Sequence, residues 1–323
     1  MSALQAGGLV TTCADGSQQF ATQSTTSELV ESDPSLSPDG SLLAFVRRPR
    51  HLDFGAVVVA GARGLLDLSV DVGQDPDLGP NSALAYIDDV PGDGRQPRIV
   101  VRPKVGEYAH GRRFPDEAER SFPATTEPDG AQELTARNLT WDASGDRLWW
   151  EAGRERFDLH TAELTDQRVL PRQVDAGPDV QGLLAPATAA AGSVAAIHQS
   201  GGVGGEPIED LEFGLVTLTG RLTDDGDAEA MFAPVQGLSE LPAPLDPLIG
   251  QLFTAAAGAI DVLPSPGVPF RVVQGDVPAW VVGDGAETYL IDADGEIDDL
   301  KSSWSGVTVY PFLRSQRDAP RLR

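Results

Sequence analysis

The sequence predicts an all-β fold built from repeated four-stranded sheets, and three observations lead to this prediction. First, the 323 residues include 35 Gly and 25 Pro, and this density of turn-forming residues favours many short strands over long helices. Second, strand–turn–strand units recur along the chain. Third, their spacing is close to the roughly 40–50 residues that a four-stranded unit requires. A repeating fold also suits the length, because each repeat buries its surface against its neighbours.

The clearest strand–turn–strand unit is residues 33–46, with the sequence DPSLSPDGSLLAFV. Pro38 presets φ for a turn, while Asp39 and Gly40 tolerate the positive φ that a tight hairpin needs. The apolar run after the turn is typical of a strand that is buried on both faces between neighbouring sheets. This unit therefore predicts a hairpin whose second strand lies in the protein core.

Further copies of this unit follow, each with an apolar strand close to a Gly or Asn anchor. They are residues 79–86 (Asn81), 138–150 (Gly145), 189–197 (Gly192) and 278–291 (Gly285). Counted from Gly40, successive anchors lie 41, 64, 47 and 93 residues apart, and a weaker copy at 255–260 falls in the last interval. This spacing predicts a β-propeller of five or six four-stranded blades, with six favoured.

The unit at 33–46 resembles the signature of TolB-like, WD-repeat-like β-propellers, in which a Ser-Pro-Asp-Gly turn joins the two inner strands of a blade. Residues 139–150, LTWDASGDRLWW, are a fair match to the same pattern. The resemblance implies a propeller fold over most of the chain. It also implies that the turn joins the innermost strand A to strand B, and that the B–C and D–A loops lie together on the opposite face.

The chain is interpreted as an N-terminal segment, 1–29, followed by the propeller, 30–323. The N-terminal segment has the alternative role of contributing a strand that closes the ring. Two loop insertions are predicted near 103–133 and 223–248, and both are interpreted as D–A loops. On this interpretation the insertions share a face with the B–C loops.

The B–C loops supply the candidate binding residues, because long loops on a rigid scaffold often carry function. The alternative is that these long loops have no function and arose by neutral drift, since insertions in surface loops cost little stability. The basic side chains in or next to these loops form the predicted binding face. They are Arg47, Arg48, Arg50, His51, Arg95, Arg154 and His198.

The charge distribution narrows the class of partner. The net charge of −25 disfavours nucleic acid, and no apolar run of about 18 residues predicts a membrane span. Residues 201–246 hold ten acidic side chains against one basic one, and residues 272–300 hold eight against none. Such runs are usually solvated surface, but they also fit a patterned face that steers a partner or a cation.

No local motif for catalysis or metal binding stands out. There is no His-x-x-x-His or Cys-x-x-Cys pair for zinc and no Gly-x-Ser-x-Gly nucleophile elbow. The carboxylates of 292–296 fit calcium, although Asp-Gly between two strand-like runs is better interpreted as a hairpin turn. No cofactor is predicted, with a calcium ion bound in the propeller channel as the open alternative.

The sequence thus favours a non-catalytic binding or scaffold propeller that recognises a protein or carbohydrate partner through its long-loop face. The alternative is a propeller enzyme of lyase, lactonase or glycosidase type with a site at the channel mouth. Export to the periplasm, cell surface or medium is expected, although no intact signal peptide is predicted. Lys104 and Lys301 are the two lysines, an Arg bias that fits a GC-rich bacterial genome.

Overall fold

A computed structural model describes the chain in segments that are almost entirely β-strand. In the segments given next, the surroundings of side chains are described from residue 28 to residue 174, except those of Leu68 and Ser69. Beyond residue 174 they are described for Pro186. The described segments are 10–12, 18–21, 28–39, 41–52, 54–61, 68–89, 95–105, 119–126, 134–142, 144–154, 157–165, 169–175, 180–188, 193–200, 212–222, 228–234, 271–274, 280–283, 288–291 and 297–299.

The first of two compact units holds nine strands. They are β1 (Val10–Thr12), β2 (Gln18–Ala21), β3 (Leu29–Leu36), β4 (Leu42–Pro49), β5 (Gly55–Gly61), β6 (Leu68–Leu78), β7 (Leu84–Asp88), β8 (Arg98–Arg102) and β9 (Arg120–Pro123). Strands β3 to β9 pair antiparallel in chain order. The first part of β6 pairs with β5 and its last part pairs with β7, so β6 belongs to two four-stranded sheets.

The second unit holds the other twelve strands of the described residues. They are β10 (Thr135–Trp141), β11 (Arg147–Gly153), β12 (Phe157–Glu163), β13 (Arg172–Asp175), β14 (Val180–Thr188), β15 (Ser193–Ser200), β16 (Glu212–Leu222), β17 (Ala228–Pro234), β18 (Arg271–Gln274), β19 (Trp280–Gly283), β20 (Thr288–Ile291) and β21 (Ile297–Asp299). They form three antiparallel four-stranded sheets, and a short parallel pairing of β13 with β17 joins the first two.

The prediction of an all-β fold made of four-stranded sheets is confirmed for the described residues, which contain five such sheets. The anchors Gly145 and Gly192 fall between the first and second strands of their sheets, as expected. The anchor Gly285 does not, because it lies between β19 and β20, the second and third strands. The weaker copy at 255–260 lies outside the described residues, and the blade count stays a prediction.

The two predicted insertions each contain a strand that the sequence analysis missed. Residues 103–133 include β9, and residues 223–248 include β17. Each is the fourth strand of its sheet. The segment from 103 to 119 therefore joins strand C to strand D of one sheet. The prediction that it is a D–A loop, on the same face as the B–C loops, is wrong for this segment. Strands β1 and β2 pair with each other, so a ring-closing role for 1–29 stays a prediction.

The second strand of each well-described sheet is buried on both of its faces, as the apolar runs predict. In β4, Leu42 and Ala44 join a cluster with Leu78 and Leu84 of the next sheet. Phe45, on the opposite face of β4, belongs to a separate cluster. This packing lets one strand link two hydrophobic layers, because successive side chains of a strand point to opposite faces.

The inner strands share a feature that the sequence analysis did not single out. In β3, the step from Ser32 to Ser35 lies opposite the shorter step from Val46 to Ala44, so β3 carries one extra residue. Such a β-bulge bends and twists the strand locally. The same step recurs in the first strands of three further sheets, between Gln74 and Asp77, Arg137 and Thr140, and Leu184 and Ala187.

The residues at these bulges show why the chain tolerates them. Asp33, Asp75 and Asn138 have φ values of 50°, 45° and 54°, and Asp and Asn are the non-glycine residues that best tolerate this left-handed region. Proline follows the bulged residue at Pro34 and Pro76, where a missing ladder hydrogen bond costs least. Pro186 occupies the matching place in β14.

Candidate functional site

The hairpin turn that carries the family resemblance is closed by its own side chains. Ser37 Oγ donates to Asp39 Oδ1 at 2.6 Å and accepts from the Leu42 backbone N–H at 2.9 Å. Asp39 Oδ1 also accepts from the Ser41 N–H at 2.9 Å. These bonds satisfy the turn locally, so its polar residues have a structural role.

The turn of the second good copy is closed in the same manner by a different residue. Asp142, which is 1% exposed, stands where Ser37 stands in the first copy. Its Oδ1 accepts from the backbone N–H of Gly145 at 2.8 Å and of Asp146 at 3.2 Å. The motif turns of both units are therefore internally bonded.

The loops at the other end of the β4–β5 and β7–β8 hairpins come together in the first unit. Gly55, which opens β5, pairs with Gly73, and the next residue, Gln74, pairs with Ile87 near the end of β7. The two B–C loops therefore flank one point of β6. We call the described residues of these two loops, 50–52, 54, 89 and 95–97, together the loop edge.

The approach at Gly73 leaves no room for a side chain. A Cβ atom built there would lie 2.6 Å from the Ile87 carbonyl oxygen and 2.9 Å from the Tyr86 ring. Because backbone cannot retreat as a flexible side chain can, we expect Gly73→Ala to destabilise the first unit by about 1–3 kcal/mol. Denaturant unfolding followed by circular dichroism measures this. A Gly73→Ala variant as stable as the wild type would contradict the close approach of the two hairpins.

Arg47, the first predicted binding residue, faces a buried carboxylate. Its Nη2 lies 2.7 Å and its Nε 3.0 Å from Glu31 Oε1 on the neighbouring strand β3. The Glu31 side chain is 0% exposed. A buried carboxylate needs such a partner because the desolvation of its charge is costly. Arg47 therefore stabilises the sheet, and a direct role in binding has no support from its position.

Arg48 anchors the loop that follows it. Its Nε donates to Ser32 Oγ at 3.0 Å, and its Nη1 donates to the Leu52 carbonyl oxygen. The Ser32 hydroxyl in turn donates a hydrogen bond to Oδ2 of Asp33, the bulged residue, at 3.0 Å. Arg48 thus connects the inner-strand bulge to the β4–β5 loop.

The β4–β5 loop is held by backbone bonds as well. The Leu52 N–H donates to the Pro49 carbonyl at 3.0 Å, and the Arg50 N–H donates to the Glu28 carbonyl at 2.9 Å. With the Arg48 contact, three hydrogen bonds fix this short loop. Arg50 and His51 lie at its tip, and both side chains are exposed.

Arg95 is the exposed candidate on the second loop of the same edge. It lies between β7 and β8, shortly before Pro97, whose carbonyl oxygen accepts from the Ala124 N–H at 2.9 Å. The loop edge of the first unit therefore brings three of the seven candidates to the surface, namely Arg50, His51 and Arg95.

Among the side chains that the structure describes in the second unit, Arg154 in the β11–β12 loop is the exposed candidate. Beneath this loop, Arg137 Nε lies 2.7 Å from Glu151 Oε2, and its guanidinium lies 3.8 Å from the Phe157 ring centre. Asn138 Nδ2 donates to the other Glu151 oxygen at 2.9 Å. The last candidate, His198, lies in β15, and its side chain is outside the described positions.

Sequence analysis missed the buried carboxylates Glu31 and Glu151. Both lie on inner strands, and each pairs with an arginine directly across the ladder. In the first pair the glutamate lies on the first strand of its sheet and the arginine on the second, and in the other pair this order is reversed. In the sequence they look like ordinary charges between apolar residues. The available signal was an acidic and a basic residue that meet in the third pair from the open end of each hairpin. Recognising this signal requires the hairpin pairing to be known first.

A second charged cluster lies at the opposite end of β8. Arg102 bridges Asp71 at 3.2 Å and Glu119 at 2.6 Å, and the Tyr86 hydroxyl donates to Asp71 at 2.9 Å. Burial, opposed by the bond to Arg102, raises the pKa of Tyr86 well above its ordinary value. The cluster ties the start and the end of the 103–119 segment to β6.

The described residues contain no group of three or more His, Cys, Asp or Glu side chains that could hold a metal ion. The candidate calcium segment at 292–296 lies outside them. Among the same residues, no helix has the length and apolarity to cross a membrane.

Comparisons with known proteins bear on the fold alone. No protein-family model matches the chain, and no curated protein matches it. Prolyl oligopeptidase B from Galerina marginata matches with a TM-score of 0.50 and 12% identity, over 90% of this chain and 38% of that one. The chain thus spans little more than a third of that peptidase.

Other solved structures resemble the chain more loosely. TolB from Acinetobacter baumannii has a TM-score of 0.44 and 12% identity, over 90% of this chain and 58% of that one. The β-propeller domain of the Trilobed protease from Pyrococcus furiosus has a TM-score of 0.43 and 11% identity, over 90% and 78%. The structural neighbours of this chain therefore include β-propeller proteins, and at such identities the likeness concerns the fold.

Proposed function

We propose that the chain is an exported, non-catalytic binding propeller of five or six blades, which recognises a protein or carbohydrate partner through its loop edge. One observation carries this proposal. Arg50 and His51 are exposed at the tip of a loop that three hydrogen bonds hold in place. A loop whose backbone is already held in place loses little backbone entropy on binding, which favours affinity.

The different structural roles of three neighbouring arginines support the same proposal. Arg47 and Arg48 bond within the fold, whereas the Arg50 side chain is exposed. Arginine is also enriched at the energetic centres of protein interfaces, where its planar guanidinium bonds carboxylates and backbone carbonyls. A face with a rigid base and exposed cations suits recognition of a partner.

The proposal predicts that Arg50→Ala together with His51→Ala abolishes partner capture without loss of stability. Surface substitutions of this kind change stability by less than about 0.5 kcal/mol. The measurement compares wild type and variant in affinity purification from the source organism and on a glycan array, with thermal unfolding as the stability check. The matched control is Arg120→Ala, an exposed arginine at the far end of the sheet.

Two outcomes would contradict the proposal. One is a partner that both the double variant and the control retain equally, because binding would then use another surface. The other is turnover of glycosides, lactones or uronate polymers by the purified chain, which would favour the propeller-enzyme alternative.

A further inference from the structure

Strand β9 is the outer strand of the second sheet. Within the part of the chain that the structure describes, β9 is the last strand of that sheet and pairs with β8 alone. We call the side of β9 that faces away from β8 the outer edge. The backbone N–H and C=O groups along such an edge can pair with a strand of another polypeptide. Another outer strand of this chain has such a neighbour, because β13 pairs with β17 of the adjacent sheet.

The pairing register shows which residues of β9 turn their backbone groups toward the outer edge. The Ala124 N–H donates to the Pro97 carbonyl oxygen at 2.9 Å, so this N–H points toward β8. Residue pairs of an antiparallel ladder alternate between hydrogen-bonded and non-hydrogen-bonded. Phe122 is therefore the next residue that bonds to β8. The backbone groups of Ser121 and Pro123 consequently face the outer edge.

Neither Ser121 nor Pro123 offers an incoming strand a full pair of backbone bonds. Arg98 lies opposite Pro123 in the register, and its Nη2 donates to the Ser121 carbonyl oxygen at 3.0 Å. Its Nε donates to the Ser121 hydroxyl at 2.8 Å. An incoming N–H would have to displace a charged donor from this carbonyl. Pro123 has no N–H to donate, so the second position lacks its donor.

We propose that Arg98 and Pro123 block the outer edge of β9 against strand addition by a second copy of this chain. A second copy is the relevant occupant because it presents the same edge, and two β9 strands can pair antiparallel about a two-fold axis. Arg98 bonds two neutral oxygen atoms of its own sheet, so the block needs neither a ligand nor a partner. The inference does not depend on the proposed function, because it involves neither Arg50 nor His51.

The test is sedimentation equilibrium of the full chain over a series of concentrations in about 1 M NaCl. At this salt concentration the Debye length of roughly 3 Å screens the repulsion between copies of net charge −25. We expect Arg98→Ala with Pro123→Val to lower the dimer dissociation constant at least about tenfold relative to the wild type, because both positions regain their backbone bonds. In hydrogen–deuterium exchange, the Ser121 amide is expected to become protected as this variant associates.

The matched control is Arg120→Ala. It removes the same charge from the same strand, but the Arg120 backbone lies two residues before Phe122 and faces β8 as Phe122 does. We expect it to change the dissociation constant less than about twofold.

Three results would overturn the inference. They are a double variant that associates no more strongly than the wild type, an Arg120→Ala variant that associates as strongly as the double variant, and association that leaves exchange of the Ser121 amide unchanged. Circular dichroism establishes whether the double variant is folded. If it is not, Arg98→Ala alone takes its place, because that change leaves β9 itself unaltered, and the same three results decide.

Discussion

Replacing Arg47 by alanine is expected to destabilise the first unit by about 3–5 kcal/mol, because the change removes the arginine that pairs with the buried Glu31 carboxylate. The Glu31 side chain is 0% exposed and lies 2.7 Å from Arg47 Nη2. Denaturant unfolding followed by circular dichroism measures the loss. If Arg47 were a surface binding residue, its removal would cost less than about 0.5 kcal/mol.

The double variant Glu31→Leu with Arg47→Leu separates the charge from the packing. Replacing both members of a buried ion pair by apolar residues is often neutral or stabilising. We therefore expect the double variant to recover most of the stability that Arg47→Ala loses. A double variant as unstable as the single one would show that the pair contributes chiefly through shape, which would contradict the electrostatic explanation.

Replacing Trp150 by alanine is expected to cost about 3–5 kcal/mol in the second unit, because the indole is fully buried and its removal leaves a large cavity. Trp150 stacks on His160 with ring centres 6.1 Å apart, which adds an aromatic contact to the buried area. The measurement is thermal and denaturant unfolding by circular dichroism, since the substitution also removes a fluorophore.

Leu170→Ala is the matched control for Trp150→Ala, because Leu170 is a large apolar residue of the same unit that is 47% exposed. We expect it to change stability by less than about 0.5 kcal/mol. Equal losses for the two variants would contradict the assignment of Trp150 to the buried core.

Where a turn motif is followed directly by an apolar strand pattern, the sequence was sufficient to predict the hairpin. The turn at 37–41 and the apolar run of β4 lie where expected, and Trp149 and Trp150 are both buried on opposite faces of β11. These features are local, because turn chemistry and strand burial leave their marks within about ten residues.

Strands β9 and β17 were missed because their signals are weak. In β9, Phe122 is the one buried side chain of four, so no alternation identifies an outer strand. Two of the bulges coincide with the dipeptides Asp33-Pro34 and Asp75-Pro76. Identifying a bulge from such a dipeptide requires the pairing register of the strands, which the sequence alone does not supply.

The sequence identified the basic residues of the candidate site, but it did not distinguish those that stabilise the fold from those that are exposed. Arg47, Arg48 and Arg50 look alike in sequence, and only cross-strand pairing distinguishes them. Glu31 lies sixteen positions before Arg47 and becomes its partner through the β3–β4 register. Arg50 lies beyond the paired strands and remains exposed. The family-like turn at 37–41 was also expected to be structural, and its internal hydrogen bonds agree with that expectation.

The central claim is that the loop edge acts while the motif turn maintains the fold. Hydrogen–deuterium exchange of the chain with and without its captured partner tests this most directly. We predict protection of the amides of 50–52, 54, 95 and 96 on binding, and unchanged exchange at 37–42. Protection of the motif turn with unchanged exchange at the loop edge would contradict the account.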